Sequence, residues 1–283
     1  MQQATKLANT LDSSTYLQFY NIMKYPIPKQ KELFFEGKKV ENIKINKEFS
    51  RDKKNPYMDE YLQKIEEIHN LLLSLPFVES IYLCNSISFN ALQKNSDIDL
   101  FIITSPKRIR TAKFRSMILF SLYGVKRFWT KQRKKCCLSF FITKGNENLY
   151  EISLPNRDIY LSYRIEHLVL LYQANPNQKE QIFEKNQRIK GILPNFPKKQ
   201  SIFLWNPVYT GKNTFKKIIE KIWSGIIGDL SEEILKILQK FMIVLKKIRD
   251  PIKNKDVITN DHMLKFHQDI REKISLKYNI KNR

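Results

Sequence analysis

From Pro56 to Leu75 the apolar residues Tyr57, Tyr61, Leu62, Ile65, Ile68, Leu71 and Leu72 return at helical spacing, which predicts a helix with Pro56 in its first turn and an end near Pro76. Two short runs rich in β-branched and aromatic residues follow, Phe77 to Cys84 and Ile98 to Thr104. They read as strands separated by a polar loop. A helix is expected from about Lys107 to Tyr123, with Gly124 at its C-terminus. Its Phe114, Met117, Ile118, Phe120 and Leu122 are expected to pack on the sheet and turn its cations outward. Cys136 to Thr143 and Asn148 to Leu154 read as two more strands.

Beyond Pro155 the pattern becomes helical, over Asp158 to Tyr172, Lys179 to Leu193, Thr214 to Ile227 and Ser231 to Ile248. The strong stripe Ile218, Ile219, Ile222, Trp223, Ile226 and Ile227 is expected to pack within the domain. The order of elements predicts an α+β fold, a mixed β-sheet flanked by helices and followed by a helical C-terminal domain. The expected divisions are residues 1–55, helical and irregular, with Pro26 and Pro28 breaking the helices; 56–155, the core; and 156–283, the helical part.

Composition adds a constraint. With 50 basic against 28 acidic residues the formal charge is +22, which points to a polyanionic partner. The 3 cysteines, Cys84 and the neighbours Cys136 and Cys137, make no disulfide framework and suggest a reducing, cytoplasmic setting. No apolar run reaches the length of a membrane span, so a membrane partner is not expected. The oligomeric state is left open.

The candidate chemistry lies in residues 82–103, YLCNSISFNALQKNSDIDLFII. Asp97 and Asp99 stand at i and i+2, and side chains of a strand alternate, so both carboxylates leave the same face. Hard oxygen ligands of this kind suit Mg²⁺, or Mn²⁺, with substrate phosphates and water completing the coordination. Asn85-Ser86 falls at the predicted end of the preceding strand, eleven residues before Asp97, and Ser96 directly precedes the first aspartate.

This window resembles the polymerase-β-like nucleotidyltransferase superfamily, whose signature is a Gly-Ser turn followed about a dozen residues later by D-x-D on the next strand. The resemblance covers 22 residues. It implies a nucleotidyltransferase-type sheet and transfer of a nucleoside monophosphate from a triphosphate to an acceptor. It makes Asp97 and Asp99 the catalytic, metal-binding pair and puts Asn85, Ser86 and Ser96 on the nucleotide side, with Ser86 touching phosphate.

Asn85 and Asn90 stand where the family has glycines; asparagine is the side-chain-bearing residue that best tolerates a left-handed backbone. The third carboxylate usual on a later strand is missing from CCLSFFIT. Glu151, on the expected strand that follows, is the candidate for it, while Asp158 is expected to cap a helix. A looser likeness to uncharacterised bacterial nucleotidyltransferase-like proteins rests on Cys137 to Phe140, Asp158 to Tyr160 and Phe266 to Asp269.

Between Lys107 and Lys135 lie eleven basic residues and no acidic one. Lys107, Arg108, Arg110, Lys126, Arg127, Lys131, Arg133, Lys134 and Lys135 are the candidate nucleic-acid contacts, with Phe128 and Trp129 among them. The expected acceptor is nucleic acid, RNA before DNA. The competing expectation is a catalytically degenerate fold kept as a nucleic-acid- or partner-binding module.

Overall fold

The computed structural model describes residues 34–35, 38–39, 54–124, 135–154, 158–175, 181–187, 214–249 and 257–266. A two-residue ladder, β1 (Phe34–Phe35) with β2 (Lys38–Lys39), stands apart from the main sheet. Helices α1 (Met58–Glu67) and α2 (His69–Ser74) lead into strand β3 (Val78–Cys84), antiparallel to β4 (Ile98–Thr104). Helix α3 (Ile109–Leu122) then crosses to β5 (Cys136–Thr143), parallel to β4. A 3₁₀ turn, Leu149–Ile152, precedes α4 (Ile159–Glu166), β6 (Val169–Gln173) and α5 (Gln181–Lys185). Last come α6 (Thr214–Ile222), α7 (Ile226–Arg249), β7 (Ile258–Thr259) and β8 (Met263–Lys265).

The six-stranded sheet runs β6-β3-β4-β5-β8-β7, with β4 and β5 its one parallel pair. The mixed α+β class is as expected. The division at residue 156 is not what the sheet respects, since β6, β7 and β8 come from the second half of the chain and extend both of its sides. Two expected elements change type. The helix starting at Asp158 stops at Glu166, and Val169–Gln173 forms a buried strand on β3. The expected strand through Glu151 is a 3₁₀ turn. A short apolar run does not distinguish a buried strand from a buried helix, and here pairing with β3 decides it.

Strand alternation sorts the core into two layers. On one face Ile81, Leu83, Ile98, Leu100, Ile102 and Phe141 meet Met58, Tyr61, Ile65, Leu72 and Phe120 of α1, α2 and α3. On the other, Tyr82, Cys84, Phe101, Ile103, Phe140 and Ile142 meet Leu161, Tyr163 and Ile165 of α4, together with Phe89. Both central strands are therefore covered on both sides, which explains their almost continuous apolar sequences.

Helices α6 and α7 attach differently. Lys216 of α6 is buried and donates to the Val78 carbonyl at 2.6 Å and to the Tyr172 hydroxyl at 2.8 Å, while Glu220 accepts from the Phe77 amide at 2.6 Å. On α7 the buried positions of the inner side are Gly228 and Glu232, with Leu235 and Ile243 only partly buried beside them. A Cβ at Gly228 would lie 1.9 Å from the Trp223 carbonyl oxygen, so no larger residue permits this approach. Phe215, Ile218, Ile222, Ile226 and Ile227 are exposed. Of the apolar stripe expected to pack within the domain, Ile219 and Trp223 are partly buried, while Ile218, Ile222, Ile226 and Ile227 face away.

Helix α3 is likewise rotated from expectation. Ile109, Ala112, Ser116 and Phe120 form its buried stripe, while Phe114, Ile118 and Leu122 are exposed. The two cations at its start turn inward: Arg108 and Arg110 are buried, the first paired with Asp229 at 2.6 Å and the second with Asp261 at 3.0 Å. Among the described residues, no helix is long and apolar enough to cross a membrane.

Candidate active site

The antiparallel register sets Cys84, the last residue of β3, across from Asp99 of β4. The chain turning away after Cys84 therefore starts at the end of the sheet where β4 begins, beside the residues that enter β4. Asp97 and Asp99 are both partly exposed, and alternation puts Asp99 on the face that carries Phe101, Ile103 and Cys84.

The turn itself is a single helical loop. Phe89 donates its amide to the Asn85 carbonyl at 3.0 Å, Ala91 to that of Ser86 at 2.8 Å, and the Ser88 hydroxyl to Asn85 at 2.9 Å. Asn85 and Asn90 have φ of 59° and 57°, both in the left-handed region. Of the two, the Asn90 side chain serves the loop. Asn90 Oδ1 accepts from the Asn55 amide at 3.0 Å, and the Asn55 side chain donates to the Leu92 carbonyl at 2.9 Å. Asn85 Oδ1 is buried with no hydrogen-bond partner, an acceptor whose desolvation is not repaid. Ser86 is partly exposed at the start of the turn, where the first amides of a helical segment have no partner within it.

Across the loop, the Tyr61 hydroxyl donates to the Ser96 carbonyl at 2.6 Å, and Ser96 Oγ accepts from the Gln93 amide at 2.9 Å. Ser96 thus closes the loop that presents Asp97. Burial holds the Tyr61 phenol above its ordinary pKa, and the Asp97 charge adds to the effect.

On the other flank β5 runs parallel to β4, with Cys137 in register beside Asp99. The chain has a buried thiol at this place, not a carboxylate. Glu151 is exposed on the 3₁₀ turn after β5, which leaves the sheet at Thr143, the end of β5 remote from Asp99. Asp158 caps α4 as expected, accepting from the Leu161 amide at 2.9 Å.

Arg164 is the residue that the sequence did not single out. It projects from α4, is buried, donates to Cys84 Sγ at 3.7 Å and stands 4.9 Å from the Phe140 ring centroid. It is also within electrostatic reach of Asp99. Burial pushes the Cys84 thiol up to about 11, with Arg164 opposing and Asp99 reinforcing that shift, so Cys84 is a neutral thiol near pH 7. The signal available in sequence was the helix opened by Asp158, whose inward stripe includes Arg164.

The donor set fits one mode of Mg²⁺ binding, one or two carboxylates with the remainder of the octahedron supplied by water and substrate phosphate. Among the described residues there is no group of three or more His, Cys, Asp or Glu side chains that could hold a metal. Of the basic candidates, Lys107 is exposed, Lys135 is buried next to β5, and Arg108 and Arg110 are tied to acidic partners. Lys113 lies over the Phe266 ring at 3.1 Å and Arg115 over Trp223 at 4.1 Å. Lys126, Arg127, Lys131, Arg133 and Lys134, with Phe128 and Trp129, lie outside the described residues. Comparison with family models, with curated proteins and with solved structures found no match to this chain.

Proposed function

We propose that the protein is a nucleotidyltransferase, moving a nucleoside monophosphate from a triphosphate to an acceptor, with nucleic acid, RNA in particular, as the acceptor class. The observation that carries this reading is the Asn85 to Asn90 turn, left-handed at both ends and held beside the D-x-D strand by the Cys84 to Asp99 register.

In this reading Asp97 and Asp99 hold Mg²⁺ or Mn²⁺, which supplies charge neutralisation at the phosphates and a lower pKa for the attacking hydroxyl. Ser86 and the first amides of the turn contact the triphosphate. Tyr61 and Ser96 fix the loop so that Asp97 keeps its direction. Arg164 balances the charge of Asp99 from the protein side.

The test is incubation with each of the four labelled ribonucleoside triphosphates, Mg²⁺ or Mn²⁺ and total RNA. Label is expected to enter RNA and to be lost in Asp97→Ala with Asp99→Ala. No transfer from any triphosphate, or undiminished transfer by the double variant, would refute the reading.

A specific observation favours a second reading, a fold retained for binding alone: Cys137 stands beside Asp99 where a third carboxylate would complete the set. It predicts Mg²⁺-independent RNA binding that weakens steeply with salt. Affinity that is flat in salt would count against it.

A further inference from the structure

We infer that α7 is the interface of an antiparallel homodimer, formed by packing its outer face against the same face of a second copy of this chain. The helix has two sides of different character. Its inner side, through Gly228, Ser231, Glu232, Leu235, Gln239 and Ile243, is buried or partly buried. Its outer side bears Ile227, Leu230, Ile234, Ile237, Phe241, Val244 and Ile248, none less than 50% exposed.

Those seven residues are spaced by alternating steps of three and four. This is the a/d repeat of a coiled-coil seam, continuous over about three heptads. A helix whose attachment is polar and whose exterior is the heptad seam is built for a partner helix, since soluble monomers rarely leave so large a contiguous apolar patch in water. Ile227, Ile234, Phe241 and Ile248 take the a positions; Leu230, Ile237 and Val244 take d. Leu238, Met242 and Leu245 widen the stripe and are also at least half exposed.

The area is of the right size. Covering the exposed part of these ten side chains, at roughly 60–100 Å² each, removes on the order of 600–1,000 Å² per chain from water, against about 800 Å² per partner in a stable specific interface.

Charge selects the direction. In a parallel pair the g residues Glu233 and Lys240 would face the e residues Leu238 and Leu245, which offer nothing to a charge. In an antiparallel pair g faces g. With Ile234 of one chain opposite Ile237 of the other, every layer from Ile227 to Val244 finds a partner. The same register sets Glu233 of each chain near Lys240 of its mate, twice by symmetry. Within the chain, Glu233 is exposed, with the Lys236 ammonium 3.8 Å away, so it is accessible for this pairing.

Sedimentation velocity of the full chain from about 1 to 100 µM is the test. A dimer is expected, and Ile237→Lys is expected to abolish it. Glu233→Lys and Lys240→Glu should each weaken the dimer roughly tenfold by turning two attractions into two repulsions, and the double exchange should restore it. All changes are on exposed positions, and an unaltered far-UV circular dichroism spectrum would show that the variants fold.

A chain monomeric throughout the range would overturn the inference, the seam then being covered by another segment of the same chain. It would also be overturned by a dimer indifferent to the charge exchanges, by open-ended association, or by a monomer that binds phosphatidylserine-containing vesicles through this helix.

Discussion

The carboxylate of Glu232 is the most informative single group to remove. It lies on the inner side of α7, buried, and accepts from the Arg110 amide at 2.8 Å, the Thr111 amide at 2.8 Å and the Thr111 hydroxyl at 2.7 Å. Those amides belong to the first turn of α3, whose own N-cap, Arg108, makes no side-chain capping bond. The cap is therefore supplied from 121 residues away in sequence.

Replacing Glu232 by alanine leaves two amides and a hydroxyl orphaned, removes an anion from a helix N-terminus and deprives the buried Arg110 guanidinium, 3.6 Å away, of one of its two acidic neighbours. Loss of an N-cap costs about 1 kcal/mol, and breaking a buried charge pair about 3–5 kcal/mol. The second figure already contains part of the first, so Glu232→Ala is expected to cost about 3–5 kcal/mol. Glu232→Gln keeps an acceptor and should cost about half as much.

Urea denaturation followed by circular dichroism at two protein concentrations measures this and separates it from any dimer contribution. Coupling between Glu232→Ala and Arg110→Ala in a double-mutant cycle should reach about 1 kcal/mol or more. A cost under about 1 kcal/mol for Glu232→Ala would refute the reasoning, because solvent would then be satisfying the α3 terminus.

Two further outcomes follow from the site. Asn85→Gly relieves a left-handed backbone and removes a buried unsatisfied acceptor, so it should leave stability unchanged or raise it by up to about 1 kcal/mol, whereas Asn85→Ala keeps the strain and should destabilise; comparison of the two urea midpoints tests this. The Cys84 thiol is raised from an ordinary value of 9.0 to about 11, so the folded state holds the proton more tightly than the unfolded state. Its contribution is full below pH 9 and falls as pH rises towards 11. Cys84→Ser should flatten that part of the stability profile, and a profile equally steep in the variant would assign the loss to other groups.

How much of this was legible from the chain depends on the range of the interaction that decides each feature. The sequence by itself determined the strand pair around the D-x-D element, because alternation and a polar intervening loop are local properties. It placed the Asp158 cap too, which acts within one helical turn, while the left-handed backbone at Asn85 and Asn90 was expected only through the likeness to a signature with glycines at those positions.

Tertiary structure alone decided that Val169–Gln173 is a strand, by giving it β3 as a partner. It decided that Arg164 reaches the Cys84 and Asp99 side of the sheet, which depends on how α4 packs there. It also decided which faces of α3, α6 and α7 turn inward. A helical stripe of isoleucines is normally buried within its own domain, but here partners more than a hundred residues apart, Arg108 with Asp229 and the Arg110 amide with Glu232, supply directional bonds on the inner side of α7. The resulting orientation leaves the heptad seam of α7 in water, a consequence that no local pattern announces.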